Sequence, residues 1–205
     1  MRKGIFIFIL LLLLATGIDF LRSCGEEKTD KEAFSQKLTY AQMYECVDTN
    51  YGFAIRYPDF FNAEPDSLRS SDDRVRFSYN DKWVNIVIEG YYLYKGDQTM
   101  TSAKDSLSAL LNATKVKQGK DFFTLSGPQF EQGSRVEGYS YYSKFMLNGK
   151  LLFVYTMVYP DGYKDVLTRM FKEIDDWKIW KRHHIKLKQG ESQVPKRAII
   201  TRDNC

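Results

Sequence analysis

The residues that can carry chemistry in this chain are two histidines, three cysteines and a few doubled carboxylates. His183 and His184 are the only histidines. A serine or cysteine nucleophile normally draws its base from such a residue. The two are adjacent, and neighbouring side chains on an extended segment point to opposite sides, so they read as a solvated surface pair. The doubled carboxylates are Glu26-Glu27, Asp72-Asp73 and Asp175-Asp176. Asp72-Asp73 falls in a polar loop that lacks the further oxygen ligands a Ca²⁺ site requires. Asp175-Asp176 ends a helical segment, where negative charge is mildly unfavourable, and Lys178, Lys181 and Arg182 follow to offset it. No glycine-rich phosphate loop or Walker lysine is present. The expectation is a non-enzyme, with no catalytic residue, no metal site and no cofactor; the alternative is a small-ligand carrier or an enzyme with a pocket on the sheet.

What remains is aromatic. The chain holds 14 Tyr, 14 Phe and 3 Trp, too many for a disordered protein. Tyr91, Tyr92 and Tyr94 cluster on one strand-like run, and Tyr139, Tyr141 and Tyr142 on another. Tyrosine offers apolar area together with a hydroxyl and is enriched at interfaces; aromatic rings also stack on sugars. A twisted antiparallel sheet favours tyrosine in any case. The candidate binding surface is Tyr91, Tyr92, Tyr139 and Tyr141.

The cysteines bear on location. Arg2 and Lys3 precede an apolar run, Ile5–Leu14, and then Asp19. Spanning a bilayer takes about 20 apolar residues, and this run reaches that length only by burying Asp19. It therefore reads as the core of an export signal. Leu21-Arg22-Ser23-Cys24 resembles a bacterial lipobox, from which Arg22 departs. On that reading Cys24 carries the lipid, and acyl chains at about 0.8 kcal/mol per buried methylene hold the protein to the membrane. Cleavage after Ala15-Thr16-Gly17, releasing a soluble exported protein, and an uncleaved anchor are the competing readings. Glu26-Glu27 behind Cys24 resembles a surface-export tag of some Gram-negative lipoproteins, or is simply a soluble linker. In an oxidising compartment Cys46 and Cys205 are either a disulfide pair or two free thiols. No cysteine pair has metal or redox spacing.

Charge divides the chain. Residues 1–24 carry a net +2, residues 25–177 a net −4 and residues 178–205 a net +6. The body is mildly acidic, which argues against a nucleic-acid surface; the basic end suits anionic headgroups or plain solubility. The expected organisation is a signal segment over 1–24, a polar tether over 25–40, one domain over 41–178 and a basic tail over 179–205. The expected partners are the membrane, through the lipid, and an envelope protein or small ligand.

The elements follow from periodicity. Gln42–Val47 and Gly52–Tyr57 read as short strands joined by a turn. Arg74–Tyr79 and Trp83–Tyr92 alternate and form a hairpin around Asn80-Asp81. Capping-box spacing at Ser102 predicts a helix to Asn112. Strands are expected over Asp121–Leu125, Arg135–Leu147 and Leu151–Tyr159, the last two joined at Asn148-Gly149. Leu151–Tyr159 is apolar on both faces and should be central. Tyr163–Trp177 has helical spacing. Ile185–Lys188 and Ala198–Thr201 are strand-prone, as a terminal hairpin or within a disordered tail. Hairpins impose antiparallel pairing and the two helices must lie on the sheet, giving an α+β domain on a curved antiparallel sheet.

Tyr51-Gly52-Phe53-Ala54-Ile55-Arg56-Tyr57-Pro58 resembles the GFxIxYP strand that opens domains of the PsbP and Mog1 type. Val154–Pro160 with its following helix resembles the closing part of that domain. The resemblance covers about residues 42–177 and implies an α/β/α sandwich. The family includes thylakoid-lumen photosystem subunits, a nuclear Ran-binding protein and bacterial exported lipoproteins, and so implies a binding or assembly role. Phe53, Ile55 and Tyr57 share one strand face and are expected in the core, with Ala54 and Arg56 on the other.

Overall fold

Period-two alternation builds most of this protein. A computed structural model describes residues 29–48, 53–65, 74–82, 84–179 and 199–201. Strands β1 (Met43–Asp48) and β2 (Phe53–Pro58) form an antiparallel pair. Next come β3 (Asn62–Ala63), β4 (Arg74–Asp81), β5 (Val84–Tyr94), β6 (Lys115–Gln118), β7 (Phe122–Glu131), β8 (Ser134–Asn148) and β9 (Leu151–Pro160). These seven make one antiparallel sheet in the order β3-β4-β5-β9-β8-β7-β6. β9 is central, as its two apolar faces require. The short β10 (Ile199–Thr201) lies parallel to β1, with Cys46 opposite Ile200.

Among the described residues three α-helices accompany the strands: α1 (Asp30–Tyr40), α2 (Met100–Leu110) and α3 (Thr168–Asp176). The chain divides into two units, residues 1–37 and 38–205. In the first, α1 opens with a reciprocal capping box. The Glu32 amide donates to Thr29 Oγ1 at 3.2 Å, and the Thr29 amide to Glu32 Oε2 at 3.0 Å. Asp30–Tyr40 is thus a helix where a tether was expected; the box satisfies first-turn amides that a charge count does not reveal.

In the second unit, one sheet face is covered by α2 and the other by β1–β2 with α3. Phe123, Leu125, Phe145, Leu152 and Val154 form the core with Ala103 of α2. On the opposite face Phe53 meets Phe153, with ring centroids 5.6 Å apart, and Tyr57 stacks on Phe77 at 3.6 Å. Gly90 makes this approach feasible, because a Cβ there would stand 2.7 Å from Ile55 Cγ2. Phe53, Ile55 and Tyr57 are buried core residues, as expected.

α3 is anchored by a buried cation. Lys144 of β8 is 4% exposed. Its ammonium donates to the carbonyls of Asp175 and Trp177, at 2.5 and 2.7 Å, at the C-terminal end of α3. The ammonium supplies donors and positive charge where a helix end has spare acceptors and a negative dipole. Positive charge beside Asp175 and Asp176 thus comes from within the sheet; Lys181 and Arg182, expected to offset them, lie outside the described residues. The Trp177 indole N–H then donates to the Ala54 carbonyl at 2.6 Å.

Other differences have local causes. α2 begins at Met100, capped by Thr99, whose Oγ1 accepts from the Ser102 amide at 3.1 Å; the threonine three residues upstream takes the capping role expected of Ser102. The α-helix of α3 starts at Thr168, after a 3₁₀ turn at Asp161–Tyr163. β7 runs through Gly127-Pro128, because a bulge falls between Pro128 and Phe130, where the proline owes the ladder no N–H. A hairpin not expected from the sequence joins β7 to β8 at Gln132-Gly133, with φ of 51° and 82°, as a type I′ turn requires. The expected hairpin joins β8 to β9, but its loop residues are Gly149-Lys150, Asn148 pairing with Leu151. β10 joins β1, so this part of the tail belongs to the small sheet. His183, His184, Asp72-Asp73, Glu26-Glu27 and Ile185–Lys188 lie outside the described residues.

Replacing Lys144 by Met leaves two carbonyls without their donor and is expected to cost about 3 kcal/mol. Gly90→Val forces overpacking against Ile55 and is expected to cost about 2 kcal/mol. Urea unfolding of each variant reads both values.

Candidate functional site

α2 spans only part of its sheet face, and the uncovered part is a cleft. Cross-strand register sets its floor. Arg76, Glu89, Thr156, Ser143 and Leu125 stand opposite one another in a single row across β4, β5, β9, β8 and β7. Tyr141, paired with Val158, belongs to the row on one side; Tyr91, paired with Val154, belongs to the row on the other. A polar row flanked by tyrosines thus lies where an apolar core would otherwise continue.

Two hollows occupy this face. One, of about 390 Å³, is lined by Tyr91, Leu111, Gln129, Phe130, Tyr141 and Thr156 among others. The second, of about 280 Å³, is lined by Arg76, Asn85, Glu131, Val136 and Tyr139. Glu89, Gln129 and Val158 line both, so the two run together. One wall is the end of α2 and the loop after it. That loop approaches closely because residue 127 is glycine: a Cβ there would lie 2.8 Å from the Asn112 carbonyl oxygen. The other wall is the tip of the β7–β8 hairpin. The bulge near Pro128 and the positive φ of Gly138, 74°, depart from regular strand geometry at its base.

The polar groups differ in how far they are satisfied. Ser143 Oγ and Thr156 Oγ1 are 2.5 Å apart and buried. Arg76 Nε lies 3.4 Å from Glu89 Oε1, and its Nη1 lies 3.7 Å from Glu64 Oε1. The Arg74 guanidinium sits 5.1 Å from the centre of the Tyr91 ring. Tyr139 Oη accepts from the Asn85 amide at 3.3 Å. Tyr141 is 5% exposed, and its hydroxyl meets no hydrogen-bond partner among the described residues. Burial pushes its pKa up to about 12. Burial and then the Glu89 charge push Tyr91 up to about 12, against the pull of Arg74.

Of the four tyrosines singled out from sequence, Tyr91, Tyr139 and Tyr141 share this cleft. Tyr92 does not: it falls on the opposite face, near Phe153 at 6.3 Å, because successive strand residues alternate. Tyr141 is buried in the floor and is not a surface group. Sequence reasoning missed Glu89, Gln129, Phe130, Ser143 and Thr156. Thr156, the one hydroxylated aliphatic residue in the apolar run Leu151–Tyr159, was the available signal. Cys46 is disulfide-bonded; Cys24 and Cys205 lie outside the described residues. Among the described residues no group of three or more His, Cys, Asp or Glu side chains is placed to hold a metal. No described helix is long and apolar enough to cross a membrane.

No family model matches this sequence, and no curated protein matches it. Solved structures do. The solution structure of cyanobacterial PsbP (CyanoP) from Synechocystis sp. PCC 6803 aligns with a TM-score of 0.50 at 12% identity, over 77% of this chain and 97% of that one. The Ran-binding protein Mog1p of Saccharomyces cerevisiae aligns with a TM-score of 0.47 at 11% identity, over 66% of this chain and 93% of that one. The fold is PsbP-like α+β, as the motif around Phe53 implied. At such identity the likeness carries no activity.

Six described tyrosines, 57, 91, 141, 142, 155 and 159, have raised pKa values, each mainly through burial. Their contribution to stability is complete below the ordinary value of 10.0 and is lost as pH rises through the folded-state values. Lys144, lowered by burial, works in the opposite direction as pH climbs toward 10.5. Six groups outweigh one, so the urea midpoint should fall above about pH 10. Tyrosinate absorbance should lag behind that of model tyrosine and then rise together with unfolding.

Proposed function

We propose that this chain is a non-enzymatic binding or assembly module, exported and held at the bacterial cell envelope by lipid on Cys24, and that the cleft on the α2 face is where it engages its partner. One observation carries the reading: the cleft concentrates groups suited to contact and none activated for reaction. The Ser143 hydroxyl has another hydroxyl beside it, that of Thr156, and not a base. Tyr91 and Tyr141, raised to about 12, stay protonated at neutral pH and are poor bases. Glu89 lies against Arg76. A concave site with a few convergent polar groups and an apolar lining is the usual form of a binding pocket.

The anchor and the disulfide are linked, because Cys46 has two cysteines to choose between. Pairing with Cys205 leaves Cys24 free for lipid, and pairing with Cys24 forbids it. The lipid reading requires Cys205, and the pairing of β10 with β1 brings residues 199–201 of that end of the chain beside Cys46. A non-reducing peptide map of the membrane-extracted protein should therefore yield a Cys46–Cys205 link and an acylated Cys24 peptide. Cys24→Ala should abolish both the acyl mass and membrane retention. A Cys24–Cys46 link, or an unmodified Cys24, rules out the anchor.

A further inference from the structure

The hydrogen-bonding inventory of the cleft restricts what can fill it. Tyr141 presents a hydroxyl that is nine-tenths buried and without a partner among the described residues. Within the Ser143–Thr156 pair one O–H donates to the other oxygen, which leaves one O–H and several lone pairs uncommitted. Gln129 Nε2 donates to the Phe130 carbonyl at 3.2 Å, leaving the Gln129 side-chain oxygen as an acceptor. An occupant without polar atoms would leave these groups dry and unsatisfied, at a cost for each. Hydroxyls can both give and accept, and so suit an occupant that does the same.

Charge narrows the choice. Arg76 already stands between Glu64 and Glu89, and Glu131 lines the second hollow. An anion would face two carboxylates with Arg76 engaged, and a cation would find Glu89 held by Arg76 and Glu131 as the one remaining carboxylate of the lining among the described residues. The fitting occupant is neutral. Size and lining complete the description. The larger hollow, about 390 Å³, is above the roughly 300 Å³ at which small-molecule sites begin, and the second continues it. Leu111, Phe130 and Val158 supply apolar lining. A pyranose ring has one such demand on each side: an apolar face of C–H groups and a rim of hydroxyls.

We infer that the cleft binds a neutral, polyhydroxylated ligand of the short-saccharide class. The inference rests on reading the cleft as the binding site and adds the chemistry of the occupant. Tyr141 is the residue that separates this class from the alternatives, because its hydroxyl, without a partner among the described residues, can be satisfied by a polar ligand and not by an apolar one.

The test uses the full chain and its Tyr141→Phe variant, which keeps the ring. A panel of neutral di- and trisaccharides, a uronic-acid disaccharide and the neutral apolar dye Nile red are each assayed by ligand-observed NMR and thermal shift. The expected result is binding of a neutral saccharide, weakened about tenfold by Tyr141→Phe, with ligand-free melting unchanged or higher in the variant. Thr156→Val, nearly isosteric, should weaken binding similarly. Saccharide binding that is indifferent to both substitutions overturns the inference, as does preference for the uronic acid. Nile red binding without saccharide binding overturns it too, while sparing the cleft as a site. Binding of none of these overturns both.

Discussion

A charge inside a protein is tolerated only where its surroundings replace water, and the arrangement around Lys144 follows from that constraint. Its ammonium lies beneath the end of α3 and takes the Asp175 and Trp177 carbonyls, with the Phe122 ring 4.9 Å away. Tyr142 of the same strand donates to the Asp175 carboxylate at 2.5 Å. The helix end is thereby fixed to β8, and Trp177 is fixed with it. Trp177 packs edge-on against Tyr155 at 5.6 Å and holds the Ala54 carbonyl. The Tyr155 hydroxyl donates to the Arg56 carbonyl, and the Arg56 guanidinium meets Glu173 at 2.7 Å. β8, α3, β2 and β9 are thus joined in a closed circuit, and each link satisfies a polar group that burial would otherwise penalise.

That circuit serves one face only. The other is held by an eleven-residue helix that is too short to cover it. α2 reaches the aromatic and aliphatic rows of β7, β8 and β9 and stops at Leu110. Beyond it the strands continue, and their inward positions change from Phe145 and Val154 to Ser143 and Thr156. The cleft is the difference in length between a sheet and the helix laid on it, and its polar floor is the sequence's answer to an incompletely covered face.

Strands with clean alternation were legible in the sequence: β4, β5, β8 and β9 read directly, and β9 was recognisable as central from its two apolar faces. So was the motif that places Phe53, Ile55 and Tyr57 in the core. Less legible was anything fixed by partners distant in sequence. Lys144 reads as a surface lysine until α3 arrives above it. β6 consists of Lys115, Val116, Lys117 and Gln118, all exposed, and only its pairing with β7 makes it a strand. Tyr91 and Tyr92 looked equivalent, though alternation sends them to opposite faces. The polar row of the cleft draws one residue from each of several strands, and no local spacing rule marks such a row.

The strand order also governs how the chain reaches its native state. β5 pairs with β9, so Val87 lies against Val158, and everything between them is made first. Until β9 pairs, the β4–β5 hairpin has no neighbour on its inner edge, and the backbone N–H and C=O groups of β5 on that side lack their ladder partners. Closing so large a loop before any reward is the slow kind of step. The β5–β9 pairing is the long-range closure on which the single seven-stranded sheet depends. Until then its unprotected edge is the β5 flank, which lies deepest in the finished protein.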